Sequence, residues 1–206
     1  MHVKKWMYIS FVLSFSILLV ACSGPKQEES GNNKQQDADI EAAAAKETAG
    51  LAARAVLVNS QGLKVGTVDM HQTDKGVEMT LKASDLPPGL HGFHIHEKGL
   101  CEAPSFESAG GHFNPTNAKH GFDAAGGPHD GDFPNLEVTA DGTAEATFIN
   151  DRVTLAKGKK NSLFQEGGTS FIIHAKPDDY VSQPAGDAGD RIACGEIEKM
   201  STATSQ

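Results

Sequence analysis

The sequence lacks an excess of basic residues and contains no long basic run. Its 18 Lys and Arg face 27 Asp and Glu, which gives a formal net charge of −9. That charge resides between about residues 51 and 198, where 12 basic residues face 21 acidic ones. Because nucleic-acid binding depends on clustered positive charge, this balance argues against nucleic acid as a partner.

Long apolar runs are also missing, apart from the stretch 6–20. This stretch is shorter than the roughly 20 residues of a spanning helix. Since Lys4 and Lys5 precede it, it fits the apolar core of a signal peptide. It ends in Leu-Val-Ala-Cys at 19–22, which resembles the lipobox of bacterial lipoproteins, where cleavage precedes a lipid-bearing cysteine. The alternative is an ordinary secretory signal in which Cys22 occurs by chance.

Composition divides the chain into four parts. We expect a lipoprotein signal peptide at 1–21, a lipid-anchored tether at 22–50, one domain at 51–198 and a tail at 199–206. The tether is rich in Gln, Glu, Lys, Asn and Ala, and it cannot bury enough apolar surface to fold, so we expect disorder there. This organisation predicts an extracytoplasmic, membrane-anchored lipoprotein of a bacterium.

Cysteine is scarce, with three in the chain. If Cys22 carries lipid, Cys101 and Cys194 are left as a pair. Disulfides persist in exported domains, so we predict one bond between these two residues. Two free thiols or thiolate metal ligands are the alternatives.

Helical periodicity is weak in the domain, whereas strand signals recur. Val77, Met79 and Leu81, for example, alternate with polar residues, as expected of a half-buried strand. Eight short strands separated by turns indicate an all-β sandwich or barrel. The predicted strands are 55–58, 65–69, 77–82, 92–97, 136–139, 144–149, 169–175 and 191–197.

The segment 98–135 has no strand pattern and is rich in Gly, Pro, Asn and His; a second irregular segment covers 176–190. A structureless loop this long is uncommon in a compact domain unless it is functional. Since it has no core of its own, we expect a metal ion and a disulfide to order it.

Six of the nine histidines occur where metal ligands are expected. His94 and His96 are two apart in a predicted strand and therefore share a face. Four imidazoles suit Cu(II), and the predicted copper set is His94, His96, His112 and His174. Three imidazoles and a carboxylate suit zinc, and the predicted zinc set is His112, His120, His129 and Asp132. His112 belongs to both sets because an imidazole has two nitrogens, and each can bind one ion.

Four motifs resemble those of the copper–zinc superoxide dismutases and occur in that family's order. They are GFHIH at 92–96, GHFNP at 111–115, GPHDGD at 127–132 and GDRIACG at 189–195. The resemblance implies an eight-stranded antiparallel Greek-key β-barrel or sandwich with long metal-binding loops. It also implies one copper and one zinc per subunit, and an enzyme that converts superoxide to oxygen and hydrogen peroxide.

The resemblance assigns further roles. His112 would bridge the two metals and supply a proton, and Arg191 would stand beside the copper and attract superoxide. Asp178 would link the copper-side and zinc-side histidines, Cys101 and Cys194 would form the family's disulfide, and His91 would be structural.

Two rival functions have to be weighed. A non-enzymatic zinc- or copper-binding lipoprotein on the same fold would bind zinc without dismutase activity. A structural or adhesion sandwich would not explain why seven ligands and a cysteine pair coincide with one metalloenzyme pattern. The expected partners are superoxide and, through lipid on Cys22, a membrane. A homodimer is compatible with the sequence, although one chain identifies no dimer patch.

Overall fold

The structure is a computed structural model that describes residues 50–200 of the chain. The expected signal peptide, Cys22, nearly all of the expected tether and residues 201–206 lie outside the described residues. Between residues 50 and 200, no helix is long and apolar enough to cross a membrane.

The described residues form nine strands and one 3-10 turn at Glu107–Ala109, and they contain no α-helix. The all-β prediction is therefore confirmed. The strands are β1 Ala52–Asn59, β2 Lys64–Thr73, β3 Gly76–Ala83, β4 Gly89–His91, β5 Phe93–His96, β6 Leu136–Val138, β7 Ala144–Asn150, β8 Ser170–His174 and β9 Arg191–Lys199.

The ninth strand arises around Gly92, which separates β4 from β5. The sequence predicts one strand over 92–97. The structure instead pairs β4 with β6, while β5 pairs with β8. The backbone of Gly92 forms hydrogen bonds outside both of these strand pairs. Its N–H donates to the Lys176 carbonyl at 2.8 Å, and its carbonyl accepts from the His174 N–H at 2.8 Å.

All strand pairs are antiparallel, and seven strands form one sheet in the order β5-β8-β9-β1-β2-β3-β7. β1, β2 and β3 follow one another as a meander, whereas β9 returns beside β1 and β8 pairs with the other edge of β9. The two outermost strands touch, because the rings of Phe93 in β5 and Phe148 in β7 lie 5.6 Å apart. The sheet therefore curls on itself, as expected of a Greek-key barrel.

The core fills the inside of this curled sheet. Phe93 and Phe171 are fully buried and stack at 5.1 Å, and Phe133 packs 5.3 Å from Phe93. Burial of each such ring contributes about 1.5–3 kcal/mol. The stacked pair fixes β5 against β8, and these two strands carry His94, His96 and His174.

Two of the three long loops carry candidate site residues: the ligand loop, residues 97–135, and the return loop, residues 175–190. Cys101 of the ligand loop forms a disulfide with Cys194 of β9, with Cα atoms 5.6 Å apart. The predicted disulfide is confirmed. The bond fixes the start of the ligand loop to the sheet.

Candidate metal centre

The ligand loop reaches the site by pairing with the outer edge of β5, which none of the nine described strands covers. The Ile95 N–H donates to the Gly131 carbonyl at 2.9 Å, and the Ile95 carbonyl accepts from the Phe113 N–H at 2.8 Å. This pairing places His94 opposite Asp132 and His96 opposite His112. Two loop side chains are thereby aligned with the two histidines of the strand.

The first group of side chains has ligand atoms that all lie within 4.8 Å of one another; its members are His94, His96, His112 and His174. Among residues 50–200, each ring finds no hydrogen-bond partner for one buried nitrogen: His94 Nδ1, His96 Nε2, His112 Nε2 and His174 Nε2. Buried polar atoms are rarely left unpaired. Four unpaired imidazole nitrogens facing one point fit a bound metal ion.

The other ring nitrogens hold the imidazoles in place. His96 Nδ1 lies 3.0 Å from the Gly110 carbonyl, and His174 Nδ1 lies 3.1 Å from the Gly189 carbonyl. Because a carbonyl only accepts, each Nδ1 carries the proton and each Nε2 presents its lone pair. The loops therefore set the tautomers that metal binding requires.

Burial keeps this first group neutral. It lowers the pKa of His94 to about 3 and that of His174 to about 4, since a buried imidazolium loses its hydration. The pKa of His96 is well below its ordinary value, from burial first and then from the charges of His112, His174 and Arg191. Neutral imidazole is the form that binds metal.

The second group combines three imidazoles with one carboxylate, again within 4.8 Å: His112, His120, His129 and Asp132. Asp132 Oδ1 lies 2.9 Å from His112 Nδ1 and 3.4 Å from His129 Nδ1, and Oδ2 lies 3.2 Å from His120 Nδ1. Asp132 Oδ2 also accepts the N–H groups of Gly121 and His129, each at 2.9 Å. This donor set suits a structural zinc ion.

The second group contains charged side chains, those of His120 and Asp132. Burial opposes a charged His120, but hydrogen bonds to Asp132 and Asp178 outweigh it and raise its pKa to about 9. Burial likewise opposes ionised Asp132, yet bonds to the histidines hold the pKa of its carboxyl well below the usual range. An arriving cation would displace the His120 proton.

His112 is the one side chain common to both groups. Its Nδ1 faces Asp132 at 2.9 Å, and its Nε2 is buried without a partner among the first group. The ring centroid lies 4.0 Å from that of His94 and 5.0 Å from that of His120.

Asp178 of the return loop connects the two groups a second time. Its Oδ2 lies 2.8 Å from His94 Nε2, and its Oδ1 lies 3.0 Å from His120 Nε2. The side chain is fully buried. Burial opposes its ionisation, but the bonds to His120 and His94 outweigh this and lower the pKa of the carboxyl.

Arg191 lies directly opposite His174 in the β8–β9 pairing. Its Nη1 donates to the Phe106 carbonyl at 2.6 Å and its Nη2 to the Gly110 carbonyl at 2.7 Å. Burial lowers its pKa, but a guanidinium stays protonated in proteins. Arg191 lines a cavity of about 550 Å³, whose wall also includes Glu107.

The two other histidines of residues 50–200, His71 and His91, have other surroundings. Both ring nitrogens of buried His91 are occupied, each lying 2.8 Å from a carbonyl, that of His174 or of Pro87. His71 is exposed on β2.

Sequence reasoning missed three residues that hold the site. Asn135 bonds to the backbone of Asp178, and Gln183 bonds to the backbone of His120. Arg152 Nη2 donates to the Asp132 carbonyl at 3.1 Å, with its guanidinium 5.8 Å from the Phe122 ring centroid. No spacing or composition signal marks these residues, because each acts through a contact between distant segments.

Several known proteins are similar in sequence to this chain. The model for the family described as "Copper/zinc superoxide dismutase (SODC)" matches residues 64–197. "Superoxide dismutase [Cu-Zn] 1" of Aquifex aeolicus is 52% identical over 149 residues, covering 72% of this chain and 88% of that protein. "Superoxide dismutase-like protein YojM" of Bacillus subtilis is 44% identical over 153 residues, covering 73% and 78%.

Solved structures agree. The crystal structure of a SOD-like protein from Bacillus subtilis superposes with a TM-score of 0.68 at 46% identity, covering 69% of this chain and 96% of that one. The Cu/Zn superoxide dismutase from Brucella abortus gives 0.58 at 30% identity, covering 71% and 99%. The family resemblance of the four motifs is thus confirmed across the described domain, and the chain belongs to the copper/zinc superoxide dismutase family.

Proposed function

We propose that this protein is a superoxide dismutase with a copper site and a zinc site that share His112. The observation that carries the proposal is the set of four buried imidazole nitrogens without partners, one of them on His112. The relatives' names and the family support the activity and the two metals.

We assign the two ions by donor chemistry. Copper would be held by His94, His96, His112 and His174, and zinc by His112, His120, His129 and Asp132. Copper, when bound, supplies the one-electron oxidation and reduction of superoxide, while zinc has no redox chemistry and serves structure and charge.

The chain's own residues would guide the substrate and a proton. Two superoxide anions and two protons give one oxygen and one hydrogen peroxide, so the site must attract anions and deliver protons. Arg191 places a fixed positive charge beside the first group, because its Nη2 and His96 Nδ1 bond to the same carbonyl, that of Gly110. His112 Nε2, buried among the first group, is the atom from which we expect one proton to be delivered.

The net charge of −9 repels an anionic substrate, so attraction of superoxide requires a local positive charge. Charges are screened over about 8–10 Å at physiological salt, so the nearby guanidinium of Arg191 can dominate the field at the first group. Two carboxylates, those of Glu107 and Asp190, line the same cavity as Arg191 and oppose its charge. The steering therefore depends on Arg191 rather than on the whole surface.

We further propose that the enzyme acts outside the cytoplasm of a bacterium, anchored to a membrane by lipid on Cys22. The sequence 19–22 and the polar segment after it support this location. The enzyme would protect the extracytoplasmic space from superoxide. Mass spectrometry of protein from the membrane fraction should find a diacylated Cys22; an unmodified soluble chain would contradict the anchor.

The alternative, a zinc- or copper-binding lipoprotein without activity, is not favoured, because all four imidazoles of the first group converge. Superoxide decay by pulse radiolysis tests the choice, with wild type compared with His96→Ala. We expect rapid decay with wild type, and for His96→Ala a loss of copper and activity with zinc retained. Equal activity in the two proteins would contradict the assigned copper site.

A further inference from the structure

We propose that Gln183 is a positioning residue of the metal centre, which holds the backbone of His120 and thereby sets its imidazole against Asp132 and Asp178. The inference rests on the proposed function, since it takes His120 to be a zinc ligand. It concerns a residue on the outer side of the return loop that has no ligand atom in either group.

The contact between Gln183 and His120 is a two-point amide clamp. The His120 N–H donates to Gln183 Oε1 at 3.0 Å, and Gln183 Nε2 donates to the His120 carbonyl at 2.9 Å. Gln183 Nε2 also donates to the Val181 carbonyl at 2.9 Å, which ties the amide to its own loop. The side chain therefore satisfies both backbone groups of one residue, as a neighbouring strand would.

His120 depends on this clamp because it belongs to no strand. The residue is fully buried, and within residues 50–200 its backbone N–H and carbonyl form no other hydrogen bond. Removal of the amide would leave a buried donor and a buried acceptor unpaired. The segment would then shift to find other partners, and the imidazole would move with it.

A reciprocal clamp holds the residue on the other side of the His120–Asp178 contact. Asn135 of the ligand loop bonds to the backbone of Asp178: Nδ2 donates to the carbonyl at 2.9 Å, and Oδ1 accepts the N–H at 2.7 Å. Each loop thus uses one amide side chain to hold the other loop's backbone. Between the clamps, Asp178 Oδ1 and His120 Nε2 lie 3.0 Å apart.

The exposed position of Gln183 allows it to be substituted without a change in the core. It is exposed and lines a cavity of about 320 Å³ together with His174, so a substitution disturbs no part of the core. Gln183→Met keeps the length of the side chain and removes both hydrogen bonds. Gln183→Glu keeps the acceptor for the His120 N–H but removes the donor. Gln61→Ala, in the exposed turn between β1 and β2, is the control for loss of a surface glutamine.

The experiment measures zinc transfer from the metal-loaded full chain to excess EDTA, followed by metal analysis of the protein over time. Loss of a residue that orients a ligand typically costs 10–100-fold in metal affinity, and Gln183 acts through the backbone, so we expect the lower end. Gln183→Met should release zinc roughly tenfold faster than wild type, and Gln61→Ala should be unchanged. Gln183→Glu should release zinc at least as fast as Gln183→Met, because its second oxygen would face the carbonyls of His120 and Val181. Thermal unfolding of the metal-free proteins reports any general loss of stability.

The outcomes separate this inference from the proposed function. If wild type binds both metals and consumes superoxide but Gln183→Met releases zinc at the wild-type rate, the inference is overturned and the function stands. A fall in the unfolding temperature of metal-free Gln183→Met without faster zinc release would show a merely structural role and would also overturn it. If wild type binds no zinc, the proposed function and this inference fail together.

Discussion

Replacement of Asp178 by asparagine should weaken metal binding. The carboxylate accepts from His94 Nε2 of the first group at 2.8 Å and from His120 Nε2 of the second group at 3.0 Å. Asparagine has one acceptor oxygen, so Asp178→Asn leaves one of the two imidazole N–H groups facing an NH2 group.

The expected loss of metal affinity follows from these contacts. A hydrogen bond to a charged group contributes about 1.5–3 kcal/mol, and the imidazoles and the carboxylate are fully buried, so water cannot replace the lost bond. Loss of one such bond corresponds to roughly a 10–100-fold weaker metal affinity, the range found when partners that orient metal ligands are removed.

Competition titration of the metal-loaded protein with EDTA measures the effect. The matched control is Asp179→Asn, because Asp179 is the adjacent, exposed carboxylate and bonds only to the return loop, at Val181 and Ser182. We expect Asp178→Asn to lose metal at far lower EDTA concentration than Asp179→Asn, which should match wild type. Equal affinities in all three proteins would refute the idea that Asp178 orients the two histidines.

Three further predictions follow from other contacts. Arg191→Ala should slow superoxide decay in pulse radiolysis severalfold or more with both metals bound, and Arg191→Lys should slow it less because the charge remains; an unchanged rate in Arg191→Ala would exclude the attraction of superoxide. Replacing both Cys101 and Cys194 by serine opens a loop with a sequence separation of 93 and should lower the free energy of unfolding by about 4 kcal/mol. An unfolding temperature equal to that of wild type would contradict this stabilisation by the disulfide. Gly186→Ala should lose zinc, because the added Cβ would lie 1.9 Å from Asp178 Oδ1. The control Gly158→Ala has a similar positive φ but open space around its Cβ, so it should keep zinc and lose about 1–2 kcal/mol of stability. Zinc retention in Gly186→Ala, measured by metal analysis, would show that the return loop can move aside.

The sequence predicts the fold class and the strand positions well because alternation and turn residues are local signals. Val77, Met79 and Leu81 alternate in the sequence and are all fully buried in β3. The break at Gly92 could not be predicted, since it depends on hydrogen bonds from that peptide to β8 and the return loop. The predicted face of His94 and His96 lies away from Phe93 and Ile95, and the structure buries it beneath the ligand loop.

The candidate site was predicted as a set of residues but not as a geometry. Local spacing indicates that His94 and His96 share a face, and the family motifs indicate the partners. Which ring nitrogen is free depends on the carbonyls of Gly110 and Gly189, which are distant in sequence. The same holds for Gln183, whose contact with His120 joins two loops 63 residues apart in the chain. The metal assignment of each ligand and the lipid anchor remain predictions.

The central claim is that this chain holds copper and zinc together and dismutates superoxide with them. The most direct measurement is metal analysis of the purified full chain, loaded with both ions, alongside its rate of superoxide consumption. The account predicts one copper and one zinc per chain and rapid consumption of superoxide. Bound zinc without copper and without superoxide consumption would contradict it and would support the non-enzymatic metal-binding lipoprotein.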